Sequence, residues 1–171
     1  FAGASVMCVN DGEGGCDWDY DGYLYDADTK YVNDETSIPL NSASASLNLP
    51  ADVDRNNIRW AGLYWQGHIE GDNPSDYSSA VSGFNSVVFR TPDGVNHSLT
   101  APLEDNVTNY YAFRSENANP KGFRFFYQCF YDVTDLVKNT YSPSNKIFTV
   151  GNIKATSGSD KFYRDPLTNW G

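Results

Sequence analysis

Apolar and polar residues alternate along several short segments of the chain, and turn-forming residues separate these segments. Residues 42–49 alternate small polar with apolar side chains, which predicts a strand with one buried face that ends at Pro50. The run 58–66 is almost continuously apolar and aromatic, so we expect a central strand with both faces covered. The residues predicted on the buried face of the first strand are Ala43, Ala45, Leu47 and Leu49.

Further strands are predicted along the second half of the chain. Residues 85–91 and 97–100 flank the turn Pro92-Asp93-Gly94, a combination typical of a hairpin. A short aromatic segment at 110–113 follows, and the sequence SENANPKG after it indicates a loop.

The strongest strand pattern is the run 123–133, and 146–154 predicts one more strand. Between them, residues 134–137 predict a single helical turn with Thr134 as its N-cap. No helical periodicity extends over ten residues, and the chain contains no repeat or linker. We therefore expect an all-β fold, a single antiparallel β-sandwich domain over residues 1–171 with long polar loops.

Composition and charge support this fold class and restrict the partners. Twelve Tyr, ten Phe and four Trp against a single Met favour half-buried pleated surfaces. Twelve basic residues against 22 acidic residues give a net charge of −10, which repels nucleic acid and anionic lipid. No stretch approaches the roughly 20 apolar residues of a membrane span, so we expect no membrane insertion. Acidic loops do attract divalent cations.

The three cysteines divide into a pair and a single residue. Cys8 and Cys16 bracket a loop rich in Gly and Asp, which predicts a small disulfide ring; the alternative is two unrelated thiols. A disulfide would place the protein in an oxidising compartment, so we expect an extracellular, secreted or cell-surface location. Cys129 lies in an apolar aromatic run and is expected to be a small buried hydrophobic residue.

An alternation of carboxylates, D-x-D-x-D-G, begins at Asp17 and resembles a calcium-binding loop. Three Asp residues at this spacing repel one another unless a cation lies between them. The twelfth position is Asp28, shorter than the usual Glu, and the alternative is a solvated acidic turn. A second pattern at 52–56 lacks the glycine and is expected to be an ordinary loop. The predicted Ca²⁺ ligands are the side chains of Asp17, Asp19, Asp21 and Asp28 and the carbonyl of Tyr23.

Catalytic patterns are weak in this sequence. The two histidines, His68 and His97, both lie in polar turn contexts, and no G-x-S-x-G elbow is present. The many acidic residues do not by themselves indicate a paired arrangement. We therefore predict a protein that binds a ligand and is not an enzyme.

The order of five motifs resembles a known class of protein. SASASLNLP, WAGLYWQG, VVFRTPDG, YDVTDLVK and FTVGNIKAT follow one another between Ser42 and Thr156, about two thirds of the chain. This order is similar to the β-sandwich region of large bacterial surface proteins and repeat-rich adhesins, including RTX-type fibrillar adhesins with ligand-binding modules. The start bracketed by Cys8 and Cys16 also resembles that family. The resemblance implies extracellular attachment, calcium-dependent rigidity and no catalytic residues.

The predicted ligand-binding surface is the long polar loop 68–82, which carries acids, an amide and an aromatic residue. Its ligand is expected to be a glycan or a peptide, and the alternative is a merely solvated loop. In similar sequences we expect a Trp-Gly such as Trp170-Gly171 to lead into another apolar strand. The fold is therefore expected to lack its last strand, and the alternative function is a subunit of an extracellular filament assembled by strand exchange. The predicted ligand-binding residues are Glu70, Asp72, Asn73, Asp76 and Tyr77.

Overall fold

The structure, a computed structural model, consists mainly of β-strands. It describes residues 7–10, 16–17, 28–50, 53–71, 74–102, 110–118, 122–156 and 158–159. The strands are β1 (Met7–Asn10), β2 (Cys16–Asp17), β3 (Asp28–Tyr31), β4 (Ser42–Ser46), β5 (Gly62–Gly71), β6 (Ser86–Arg90), β7 (Asn96–Thr100), β8 (Tyr110–Ala118), β9 (Gly122–Asp132), β10 (Ile147–Gly151) and β11 (Gly158–Ser159). The α-helices are α1 (Tyr77–Val81) and α2 (Thr134–Thr140), and short 3-10 turns lie at Arg55–Asn57 and Pro74–Asp76.

Two larger antiparallel sheets form the sandwich. The first sheet has the strand order β4-β10-β6-β7 and the second the order β5-β9-β8. The shortest strands form a third sheet in the order β11-β3-β1-β2. The predicted all-β class and sandwich-like architecture are confirmed. Within the described ranges, none of the helices has both the length and the apolar character needed to cross a membrane.

Alternation along the strands builds the core between the two larger sheets. On β9, every second residue from Phe123 to Cys129 is buried, while Gln128 is exposed. Trp65 of β5 joins the same cluster, and Val87 of β6 contributes from the opposite sheet. Each such apolar side chain stabilises the fold by about 1.5–3 kcal/mol when it leaves water. One cluster thus holds both sheets together.

The strand β5 differs from its prediction in two respects. It begins at Gly62 and continues to Gly71, so residues 58–61 precede it and His68 lies in the strand and not in a loop. The expectation that both faces are covered was wrong, because Tyr64 is 58% exposed. The strand lies at the margin of its sheet and is hydrogen-bonded to β9 alone among the strands described.

Three other elements differ in their bounds from the predictions. β4 ends at Ser46, although Leu47 and Leu49 still pack against the core as predicted. β8 extends to Ala118, into the segment predicted as a loop. The helical turn after β9 is longer than predicted, and its N-cap is Val133.

Thr134 is not the N-cap because its side chain is used elsewhere. Its hydroxyl accepts a hydrogen bond from the Ala61 backbone N–H at 2.8 Å, just ahead of β5. The Thr134 N–H is satisfied by the Asp132 carboxylate at 2.9 Å. The bond to Ala61, together with a bond of 2.9 Å from the Val133 N–H to the Ala61 carbonyl, holds the start of α2 against the chain that enters β5.

A buried asparagine joins the loop before β4 to the chain that leaves β10. The Asn41 side chain is 0% exposed; its Nδ2 donates to the Ile153 carbonyl at 2.7 Å and its Oδ1 accepts from the Ile153 N–H at 2.9 Å. The Asn41 carbonyl accepts from the Asn152 N–H, and Asn152 has a left-handed φ of 58°. A Cβ at Gly151 would overlap the Asn41 carbonyl oxygen, so glycine is required there. The amide thus replaces strand pairing at the bend after β10.

The outer edge of β4 is covered. The Ser42 N–H donates to the Val32 carbonyl, and the Ser42 carbonyl accepts from the Asp34 N–H. The Asp34 carboxylate accepts from the Ser44 N–H at 2.8 Å. Covered edges of this kind prevent another strand from pairing there.

We expect Asn41→Asp to lower the free energy of unfolding by about 3 kcal/mol, because it removes the donor to the Ile153 carbonyl and places a charge in a buried site. The measurement is urea denaturation followed by fluorescence. Asn139→Asp is the matched control, since Asn139 is exposed on α2. Equal stability of the two variants would contradict the role of Asn41.

We expect Cys129 to resist alkylation in the native protein at about pH 8. Its side chain is 1% exposed, and burial raises the pKa of its thiol to about 12, so the reactive thiolate is absent. The measurement is mass spectrometry after iodoacetamide treatment, native and in denaturant. With the predicted disulfide between Cys8 and Cys16, denaturant alone yields one labelled cysteine and added reductant yields all three. Rapid native labelling of Cys129 would contradict the buried placement.

Candidate functional site

The outer face of the sheet β5-β9-β8 carries a patch of aromatic side chains. Trp60 is 55% exposed and Tyr64 is 58% exposed, and both contact the ring of Phe130. The ring centroids of Trp60 and Phe130 are 5.9 Å apart with an interplanar angle of 18°, and those of Tyr64 and Phe130 are 4.9 Å apart. We call these three residues the aromatic platform.

Local sequence explains how the platform forms. Tyr64 and Phe130 are directly opposite each other in the antiparallel register of β5 and β9. Gly62, the next outward position on β5, has no side chain, and the rings of Trp60 and Phe130 lie over its backbone. A Cβ at Gly62 would lie 2.5 Å from Trp60 ring carbons and 2.6 Å from a Phe130 ring carbon. The glycine therefore makes the space in which the two rings stack.

Polar groups continue the same face along the strands. Gln66 and Gln128 are paired across β5 and β9, both exposed and two residues from Tyr64 and Phe130 respectively. Each amide offers a carbonyl acceptor and two N–H donors. At the next outward position, the His68 ring stacks on Phe126 at a centroid distance of 4.1 Å and an interplanar angle of 1°. The face thus runs from aromatic rings to amides to a further stacked pair.

A fixed negative charge borders the platform. Asp132 lies opposite Gly62 in the register and is exposed. Hydrogen bonds from the Thr134 side chain and backbone lower the pKa of this carboxyl below its ordinary value, so it stays ionised at neutral pH. The site therefore combines flat apolar rings with amide and carboxylate acceptors.

The predicted ligand-binding loop is only partly visible. Glu70 belongs to β5, and Asp72 and Asn73 lie outside the described residues. Asp76 is exposed in a 3-10 turn. Tyr77 is half-buried and packs edge-on against Phe123 and Phe125 at 5.2 and 5.8 Å, so it serves the core and is not an exposed tip. A ligand-binding role for the rest of this set stays a prediction.

The predicted calcium loop also falls largely outside the described residues. Asp17 ends β2 and Asp28 begins β3, whereas Asp19, Asp21 and Tyr23 lie outside the described residues. The two strands flank β1, with Val9 opposite both Asp17 and Thr29. Where side chains are described, no group of three or more His, Cys, Asp or Glu residues is placed to hold a metal ion. The calcium site therefore stays a prediction.

The two cysteines of the predicted disulfide lie on the paired strands β1 and β2, and the disulfide itself stays a prediction. Cys16 lies opposite Asn10, so Cys8 occupies the diagonal position on the neighbouring strand β1. The second acidic pattern was predicted to be an ordinary loop, and its described part lies between β4 and β5, whereas Asp52 lies outside the described residues. The Asp54 carboxylate accepts from the Asn56 N–H at 2.9 Å at the start of a 3-10 turn.

Comparisons of the chain with protein-family models, with characterised proteins and with solved structures find no match.

The aromatic platform was not predicted from the sequence. The signal was present as a glycine between aromatic residues, Trp60 to Tyr64, facing an aromatic position on a paired strand. The sequence alone did not indicate which of these aromatic residues point outward.

Proposed function

We propose that the protein is an extracellular adhesive module of a bacterial surface protein that binds a glycan on the aromatic platform. The observation that carries this proposal is the clustering of exposed aromatic residues. Of the large hydrophobic side chains exposed in the described residues, the aromatic ones are Trp60 and Tyr64, and both contact the same ring of Phe130. The resemblance to bacterial adhesins supports the extracellular adhesive context.

A glycan fits this surface better than an apolar ligand. The flat faces of aromatic rings pack against the C–H face of a sugar ring, while hydroxyl groups require hydrogen-bond partners at its edge. Gln66, Gln128 and Asp132 provide such partners beside the rings. The surface is open, so it suits a chain that lies across it. The ionised Asp132 and the net charge of −10 favour a neutral or amino sugar over an acidic one.

Calcium belongs to this proposal as a structural ion in the loop from Asp17 to Asp28. Its support is the D-x-D-x-D-G spacing, which supplies alternate carboxylates and a glycine at the turn. The loop connects β2 to β3 in the sheet that contains β11. A cation bound there would stabilise that sheet and leave the aromatic platform, on a different sheet, to the ligand.

We expect Trp60→Ala and Tyr64→Ala each to weaken binding to a neutral polysaccharide about tenfold, or about 1.4 kcal/mol, since each removes a stacking surface. The measurement is depletion from solution by insoluble cellulose, chitin or agarose, followed by affinity electrophoresis on the polysaccharide that binds. Gly62→Ala should weaken binding as well, because it keeps the aromatic residues but displaces the Trp60 and Phe130 rings.

Ile147→Ala is the matched control for this experiment. Ile147 is 57% exposed on β10, in the other sheet, so its removal deletes a comparable exposed surface elsewhere. Loss of binding in this control equal to that of Tyr64→Ala would refute the platform. So would the absence of binding to any neutral or amino-sugar glycan on an array.

We expect Ca²⁺ to raise the melting temperature relative to excess chelator, because an ion that binds only the folded state stabilises it by mass action. Asp19→Ala should abolish the shift. Asp54→Ala is the control and should retain it, since the Asp54 carboxylate caps a 3-10 turn. Differential scanning calorimetry measures both. An unchanged shift in Asp19→Ala would place the ion elsewhere without affecting the glycan proposal.

A further inference from the structure

The edges of the two larger sheets are not equally protected. The β4 edge is covered by Val32 and Asp34, and β5 receives a hydrogen bond from the Thr156 N–H to the His68 carbonyl at 2.9 Å. Among the described residues, two further outer strands pair on one side only, β8 with β9 and β7 with β6. Of these two, β7 lines a groove, and it carries neither proline nor lysine, the residues that commonly protect an edge.

The hairpin register identifies which backbone groups of β7 face outward. The Ala101 N–H donates to the Asn85 carbonyl and the Thr91 N–H to the Val95 carbonyl. In an antiparallel pair, hydrogen-bonded and non-hydrogen-bonded positions alternate. Ser98, opposite Val88, is therefore a non-hydrogen-bonded position, and its N–H and C=O point away from β6. The same holds for Asn96 and Thr100.

A groove lies along this edge. Its volume is about 610 Å³, and three consecutive residues of β7 line it, which is the pattern expected where a strand edge forms a wall. The opposite wall comes from the end of β9 and the start of α2. The charged and apolar side chains that line the groove include Arg59, Leu99, Tyr131, Asp132, Asp135 and Leu136. Leu99 is buried and Tyr131 and Leu136 are half-buried, so apolar side chains form part of a lining that also carries the carboxylates.

The charge of the groove determines which kind of polypeptide segment would bind there. Asp132 and Asp135 are both exposed on the groove wall and outnumber Arg59, and the chain as a whole carries a net charge of −10. A second copy of this chain would bring the same excess negative charge and be repelled. A basic segment would be attracted and its encounter accelerated.

We infer that the edge of β7 binds an extended basic peptide of another protein by β-strand addition. The peptide pairs with the outward N–H and C=O groups of Asn96, Ser98 and Thr100. Alternate side chains enter the groove beside Leu99 and Leu136, or lie near the Asp132 and Asp135 carboxylates. Main-chain hydrogen bonds supply affinity and the alternate side chains supply selectivity. Asp132 borders both the groove and the aromatic platform, which share the strand β9. The backbone groups of β7 lie in the other sheet and take no part in the proposed glycan binding, so the inference does not depend on it.

The test uses the full chain and a synthetic peptide of alternating valine and lysine with blocked ends, measured by fluorescence anisotropy. We expect saturable binding that weakens with salt, and no binding of the valine–glutamate analogue. A valine–lysine peptide N-methylated at alternate residues should fail to bind, since it keeps the charge but loses the pairing donors. The Ser98 amide should gain hydrogen-exchange protection upon binding.

Variants of the protein separate backbone from side-chain effects. Ser98→Pro removes an outward N–H that the pairing with β6 does not use, and should weaken binding at least tenfold. Ser98→Ala is the matched control and should bind normally. Asp135→Asn should reduce affinity and salt dependence while leaving the fold intact.

Several results would overturn the inference. These are an absence of binding by the valine–lysine peptide, equal binding of the N-methylated or glutamate peptide, and normal binding by a folded Ser98→Pro protein. Self-association of the protein at the same edge, seen on a sizing column and abolished by Ser98→Pro, would assign the edge to a second copy instead.

Discussion

The buried side chain of Asn41 holds together the segment in which the chain passes from one sheet to the other. After β10, which is central in the first sheet, the backbone bends at Gly151 and Asn152 and then runs beside β5 of the second sheet. A bend of this kind removes backbone groups from strand pairing inside the protein, where an unpaired group destabilises the fold by about 1–3 kcal/mol. The Asn41 amide satisfies both groups of Ile153, and the hydroxyl of Tyr127 on β9 donates to the carbonyl of the next residue, Lys154. The apolar cluster packs the two sheets together, and the Asn41 contact fixes the path by which the chain crosses between them.

The aromatic platform shows how a sheet holds an ordered cluster of rings on its solvent face. The inward residues of β9 are buried in the core, and the strand is paired on both sides. This leaves its outward positions open to other uses. Gly62 contributes nothing to strand stability by itself, yet the rings of Trp60 and Phe130 cover it and restore the lost packing. The platform is therefore held by stacking among its own members and by the rigid register of β5 with β9, which keeps it in place before any ligand arrives.

Sequence patterns predicted the strands in which buried and exposed residues alternate. They did not predict which side chains are exposed where this depends on the place of the strand in its sheet. The run 123–133 differs from β9 by one residue at each end, and the hairpin around Gly94 is confirmed, including its turn. The exposed outer face of β5 could not be predicted, because tyrosine occurs at both buried and exposed positions of strands and its identity alone does not distinguish them. Thr134 fits the pattern of an N-cap, but its hydroxyl bonds to Ala61, 73 residues away in sequence. The candidate site depends on cross-strand register, which local patterns do not specify.

The chain from β10 to β11 visits all three sheets in turn. Ile147–Gly151 pairs with β4 and β6, Thr156 bonds to β5, and Gly158–Ser159 pairs with β3. In mechanical terms these attachments are in series. A tension applied downstream of Ser159 reaches β11 first, then the bond to β5, and then β10, which is hydrogen-bonded to a strand on each side. A chain attached in this way would lose its outer attachments first and extend before its central strand β10 is released, so that the larger sheets are the last part to open.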